Sequence, residues 1–210
     1  MQFLRIFNEL KKHNFSKPII RYKTSFKVLI STVLSARTRD KNTKQAVDAL
    51  FGKYPTVKKL ANADLKGIKK LIKKVGFYKI KAARLKQLSH ILLGRWNGKV
   101  PSTLPELLSL PGVGRKTAQC VRIYAFDLDG IAVDTHVHRI SNRLGLVKTN
   151  KPEETEQKLM QRVPKKYWKE INNLFVKFGQ NICLPMRPKC GICKIRKYCA
   201  YYKSLLFINN

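Results

Sequence analysis

Acidic residues are scarce in this chain: 12 Asp and Glu stand against 44 Lys and Arg in 210 residues, a net charge of +32. Such an excess repels itself and suits a chain whose working partner is a polyanion. Nucleic acid leads, because neutralising phosphates releases counterions. Long apolar runs are also lacking. No stretch approaches the roughly 18–20 apolar residues that span a bilayer, so no membrane partner is expected. The opening MQFLRIFNELKKHNF is broken by charges and has no small-residue cleavage site, so no signal peptide is expected. Cysteines are few and odd in number, five, with four of them near the carboxyl end. That argues against a secreted disulfide framework and for a metal or cluster site inside a cell. Strand-like alternation, solenoid-length repeats and low-complexity linkers are missing as well.

What is present reads as helix, over a hydrophobic content of 44% that supplies a core. Ser25 to Ala36 is apolar and small, and predicts a buried helix. Asp40 to Phe51 follows, with Ala46, Val47, Leu50 and Phe51 at helical spacing. Lys66 to Lys86 carries nine basic residues and no acidic one, with an apolar face of Ile68, Leu71, Ile72 and Val75. Gly76-Phe77-Tyr78 breaks it before a second helix. Leu104 to Leu110 is a short helix, and a further one starts near Arg115. Gly130 to Val133 reads as extended. Asp134 then opens a helix that Gly145 closes, with Val137, Ile140 and Leu144 as its buried stripe. Pro152 begins another, and Lys165 to Gly179 the next. The expectation is an all-α fold of two helical lobes, with a cleft between the turn at Gly112 and the segment at Asp134.

Helix, then Leu110-Pro111-Gly112-Val113-Gly114, then helix is a helix-hairpin-helix pattern. Both glycines permit positive φ, and without side chains they let the backbone approach a phosphate. The N–H groups of the turn and the positive end of the next helix then face that anion. Such contacts hold a duplex without reading its sequence. Lys116 falls in the first turn of the second helix, where the dipole opposes a cation. Burial adds to this, and both favour a neutral, nucleophilic amine. A phosphate-contacting lysine is the competing reading.

Asp134, in Val133-Asp134-Thr135-His136, precedes a helix. It is either an ordinary N-cap or a carboxylate held at a helix end for chemistry. His136 and His138 form a bare H-x-H, weak as a metal pair, and His138 is read as a structural or surface histidine. Cys183, Cys190, Cys193 and Cys199 have the spacing C-x6-C-x2-C-x5-C. Four thiolates so close suit a tetrahedral zinc or an iron–sulfur cluster. The loop between the first two exposes Arg187 and Lys189, a second phosphate contact. Cys120 reads as a small buried hydrophobe.

In this order, L-P-G-V-G-R-K-T-A, V-D-T-H and C-x6-C-x2-C-x5-C resemble the endonuclease III family of DNA glycosylases, within the helix-hairpin-helix superfamily. The likeness runs from about Ser25 to Tyr201. It implies a six-helix domain over residues 20–129 and a discontinuous cluster domain from residues 1–19 and 130–210. It implies a [4Fe–4S] cluster on the four cysteines, mainly structural. It makes Lys116 the nucleophile and Asp134 the catalytic aspartate. The implied activity is that of a bifunctional glycosylase and abasic-site lyase, which flips a damaged pyrimidine out of duplex DNA. The enzyme is expected as a monomer in the cytoplasm, at the nucleoid. Gly112, Val113, Gly114 and Arg115 would grip the backbone, and Phe77 would wedge into the stack unless it is a core aromatic. Ser35 and His136 are further DNA contacts by the same likeness. One departure stands out. The family often has L-S-A-Q where this chain has Leu34-Ser35-Ala36-Arg37, and a guanidinium donates but cannot accept. A shifted lesion range, or a non-catalytic DNA-binding protein, are the rival readings.

Overall fold

The computed structural model describes residues 2–12, 22 and 24–208, and every regular element among them is helical. The chain divides into two compact units, Ile20–Leu128 and Met1–Ile19 with Asp129–Asn210.

The first unit holds α2 (Ser25–Ser35), α3 (Asp40–Lys53), α4 (Val57–Ala61), α5 (Leu65–Leu71), α6 (Tyr78–Trp96), α7 (Leu104–Leu108) and α8 (Arg115–Phe126). Among the described residues that is seven helices where the resemblance implies six; α4 is too short for periodicity to mark it. α2 is the centre. Val28, Leu29, Ile30 and Leu34 are fully buried, and α3, α6 and α8 pack around them. A helix apolar all round belongs inside a bundle. Its buried hydroxyls are satisfied locally, Ser31 and Thr32 each donating to the Val28 carbonyl. Thr24, Thr56, Asp64 and Thr103 cap α2, α4, α5 and α7 through their side chains. The break in the lysine-rich segment is wider than its sequence predicts: α5 stops at Leu71, and α6 starts after a left-handed Phe77.

The second unit holds α1 (Gln2–Lys11), α9 (Thr135–Arg143), α10 (Pro152–Arg162), α11 (Trp168–Asn181) and α12 (Ala200–Ile208). The stripe of Val137, Ile140 and Leu144 is buried as the spacing predicts, against Phe175 and Phe178 of α11 and Phe7 of α1. A 3-10 turn at Lys165–Tyr167 precedes α11, so the helix expected from Lys165 begins at Trp168 and runs on to Asn181. Gly130 to Val133 forms no strand. Ile131, Ala132 and Val133 are buried, and Asn172 Nδ2 donates to the Ala132 carbonyl at 2.7 Å. That side chain gives the buried loop the partner a sheet would have given it.

Candidate functional site

The α7–α8 turn is built on one strained position and one open one. Gly112 has φ +82°, and a Cβ there would lie 3.1 Å from Arg84 Cδ and 3.8 Å from Val33 Cγ1. Leu110 and Val113 are buried beside it and hold the turn to the α2 core. Gly114 does not use the positive φ that glycine permits. Its φ is −91° and ψ 175°, extended backbone open to any residue, because it serves as the N-cap of α8. A Cβ on it would meet nothing within 4 Å. The fold itself therefore demands glycine at 112 but not at 114. Gly112→Ala is expected to cost about 1–2 kcal/mol in left-handed strain. Thermal unfolding should then fall by roughly 2–8 °C. Gly114→Ala carries no such strain, and its cost should be confined to the poorer helix cap that alanine makes.

Lys116, partly buried, is the second residue of α8, and Arg115, also partly buried, is the first. On the same unit, Ser35 Oγ donates to the Thr32 carbonyl at 2.8 Å at the end of α2. Arg37 follows, exposed, with φ +51°. The structure brings Arg37 to Phe77: the guanidinium carbon lies 5.6 Å from the ring centroid. Phe77 has φ +58° and is 58% exposed, so it is no core aromatic. Two left-handed non-glycine residues side by side are an investment in backbone strain, which gathers at functional sites. Gly76 makes their proximity possible. A Cβ there would stand 2.5 Å from the Arg37 carbonyl oxygen, against rigid backbone.

In the other unit, Asp134 is the N-cap of α9, its Oδ1 accepting from Val137 N at 2.8 Å. His136 Nδ1 lies 3.1 Å from Arg139 Nη2. An arginine only donates, so this ring nitrogen accepts. His138 Nδ1 lies 2.7 Å from Thr155 Oγ1, inside a hydroxyl cluster with Thr149, a structural role as expected. Lys116 and Asp134 thus stand at the amino ends of α8 and α9, one in each unit.

The four C-terminal cysteines line one pocket open to solvent, together with the apolar Leu144, Phe178, Ile182 and Ile195. None is in a disulfide. Burial and the neighbouring thiols push the Cys190, Cys193 and Cys199 thiols up. Among the described residues no three His, Cys, Asp or Glu side chains converge on a single-ion site. The sulfurs instead ring a shared space. Arg143 escaped the sequence reading. Its Nη1 donates to Cys183 Sγ at 3.4 Å and to the Leu184 carbonyl at 2.7 Å, and its Nη2 to the Pro185 carbonyl. Its guanidinium carbon also lies 4.6 Å from the Tyr201 ring centroid. A guanidinium donating to one of four clustered sulfurs fits a thiolate-ligated centre, whose excess negative charge it would offset. Arg187 and Lys189 are exposed on the same loop, Arg187 at φ +49°.

The family described as the HhH-GPD superfamily of base excision DNA repair proteins matches residues 30–165. Endonuclease III of Thermotoga maritima is 51% identical over 178 residues, 85% of this chain and 84% of that one. This chain belongs to the endonuclease III family. Two solved structures extend the likeness of this family member to its fold. One is a non-covalent endonuclease III–DNA complex, 33% identical, with a TM-score of 0.90 over 98% of this chain and 97% of that chain. The other is a trapped endonuclease III–DNA covalent intermediate with an estranged adenine, 32% identical, with a TM-score of 0.89 over 98% and 99%. No helix among the described residues is long and apolar enough to cross a membrane.

Proposed function

We propose that this chain is a base-excision DNA glycosylase and abasic-site lyase that removes oxidised pyrimidines from duplex DNA. The observation that carries the reading is the hairpin before Lys116. Gly114 is a glycine whose backbone conformation does not require it, at a start of α8 without a side-chain cap and two residues from a lysine. A phosphate seated on that face meets bare backbone and the positive end of α8. It leaves the neighbouring sugar within reach of Lys116. Val113 holds the turn from beneath, and Arg115 adds charge. Arg37 and Phe77 form a tip suited to the gap left by a flipped nucleotide, with Ser35 at its base. His136, Arg187 and Lys189 supply flanking contacts. The partner is double-stranded DNA, bound by a monomer at the nucleoid in the cytoplasm.

In the reaction, the Lys116 amine attacks the sugar C1′ and the bond from C1′ to the base breaks. The base departs with the electron pair and takes up a proton. Ring opening gives a C1′=Nζ Schiff base. Loss of a C2′ proton then expels the 3′ phosphate, nicking the strand, and water releases the lysine. Asp134 serves the proton transfers and the developing positive charge. Cys183, Cys190, Cys193 and Cys199 would hold a [4Fe–4S] cluster, which would fold the 183–199 loop and fix its basic residues. Support for the covalent route comes from the family relative captured joined to DNA.

Borohydride reduction on duplexes carrying one abasic site tests the reading. A covalent adduct is expected, and its absence would overturn the lyase. Duplexes each holding one oxidised pyrimidine then define the lesion range, with each of the four bases opposite because Arg37 replaces an amide. Asp134→Asn keeps a good helix cap. Its melting temperature should therefore hold, while base release falls by about 10²-fold or more. Full base release by this variant would leave the aspartate as a cap alone.

A further inference from the structure

Among the nine basic residues from Lys66 to Lys86, Lys81 is the buried one, at 6% exposure. No carboxylate meets it. Its Nζ donates to the Leu34 carbonyl at 2.9 Å, the Ala36 carbonyl at 2.5 Å and Thr38 Oγ1 at 3.2 Å. Three ammonium donors thus meet three acceptors at the carboxyl end of α2. There the orphan carbonyls and the negative pole of the helix favour a cation. Burial pushes Lys81 down to about 8, still above neutrality, so the third donor is present at pH 7. For stability alone a methionine of similar length would fill the space without desolvating an ammonium. The lysine therefore asks for a second reason.

That reason lies in what it joins. Lys81 sits one turn into α6, and its backbone N–H donates to the Phe77 carbonyl at 3.0 Å. Thr38 Oγ1, besides accepting from Lys81, accepts from Gly76 N at 3.1 Å and donates to the Ala36 carbonyl at 3.2 Å. One residue thus ties the loop that presents Arg37 to the turn that presents Phe77. Both presented residues are held at positive φ, a conformation that persists only where its surroundings over-determine it.

We infer that Lys81 is a positioning residue that locks the Arg37 and Phe77 loops into one preformed tip for insertion beside a flipped nucleotide. This rests on the DNA reading above. Lys81 touches no substrate; it acts through the two residues it fixes. The binding energy of the tip then comes without the cost of ordering two loops at the moment of contact.

The test is a double-mutant cycle in the full chain, on a duplex with a tetrahydrofuran abasic analogue opposite 2-aminopurine. Affinity and 2-aminopurine fluorescence are read together, with thermal unfolding recorded for each variant. Lys81→Met is expected to weaken binding about 10-fold and to shrink the fluorescence change. Phe77→Ala should do at least as much, and the double variant should be no weaker than Phe77→Ala beyond about twofold, the sign of a shared interaction. Thr38→Val keeps the buried site filled and removes one acceptor; about a threefold loss, absent in the Phe77→Ala background, is expected. Lys81→Met and Thr38→Val both binding like wild type would overturn the inference. So would losses that simply multiply with Phe77→Ala, since they mark general destabilisation. Borohydride trapping of wild type in the same preparation separates the two levels. An adduct with an inert Lys81→Met sinks this inference alone, whereas no adduct sinks the proposed activity.

Discussion

Lys116→Ala is expected to abolish the borohydride-trapped adduct on abasic duplex and to slow strand nicking on the order of 10⁴-fold or more. The size follows from the bond the lysine makes. Every later step passes through the C1′–Nζ linkage, so removing the amine removes the route rather than weakening it. Alanine at the second position of a twelve-residue helix is a strong helix former, so α8 itself is kept. The melting temperature should hold while the chemistry disappears, and that split separates a nucleophile from a structural lysine. The charge count makes the result informative. With 44 Lys and Arg, loss of one phosphate contact would change affinity modestly and leave an adduct to trap. A trapped adduct with the alanine variant would assign the amine to another residue and return Lys116 to phosphate binding.

Cys193→Ser is expected to empty the cysteine cavity. Visible absorbance should vanish from the purified protein and iron should drop from about four per chain to near zero. A serine hydroxyl does not ionise near neutral pH, and it is too hard a donor for iron–sulfur ligation. The consequence for the loop is large because little else folds it. Residues 183–199 hold only two three-residue 3-10 turns, and Ile195 is its one buried hydrophobe. Structural metal centres in such segments are worth on the order of 10 kcal/mol. The loop should become protease-sensitive, and Arg187 and Lys189 should lose their fixed positions. DNA affinity should fall with them. The packed α1–α9–α11 core, with Phe7, Ile140 and Phe175, should keep its helical signal. Cys120→Ser is the control, since Cys120 is buried on α8 and is not among the residues lining the pocket, so it should leave the absorbance intact. A colourless wild-type protein carrying zinc would refute the cluster.

The legible part of this chain is what local spacing and residue chemistry encode. The buried α2, the Val137–Ile140–Leu144 stripe and the ordered motifs that place it in its family were all visible before any fold was known. The hairpin was read almost correctly. Two glycines in a turn look alike until the backbone shows that only Gly112 crosses to positive φ. Phe77 carried two readings, core or exposed, and only its 58% exposure separated them. The short helix α4 escaped because five residues are too few to display a period.

By itself, then, the sequence determined the all-helical class, the polyanion partner and the candidates for the reactive groups: a lysine behind a glycine hairpin, an aspartate at a helix start, four clustered thiols. Tertiary structure alone decided which of the interchangeable cations are special. Lys81 is distinguished by carbonyls 45 and 47 residues away, and Arg143 by a sulfur 40 residues away. Composition and periodicity report on neighbours along the chain. The acceptors that turn a surface lysine into a clamp, or an arginine into a partner for thiolates, are supplied by segments that only packing brings near.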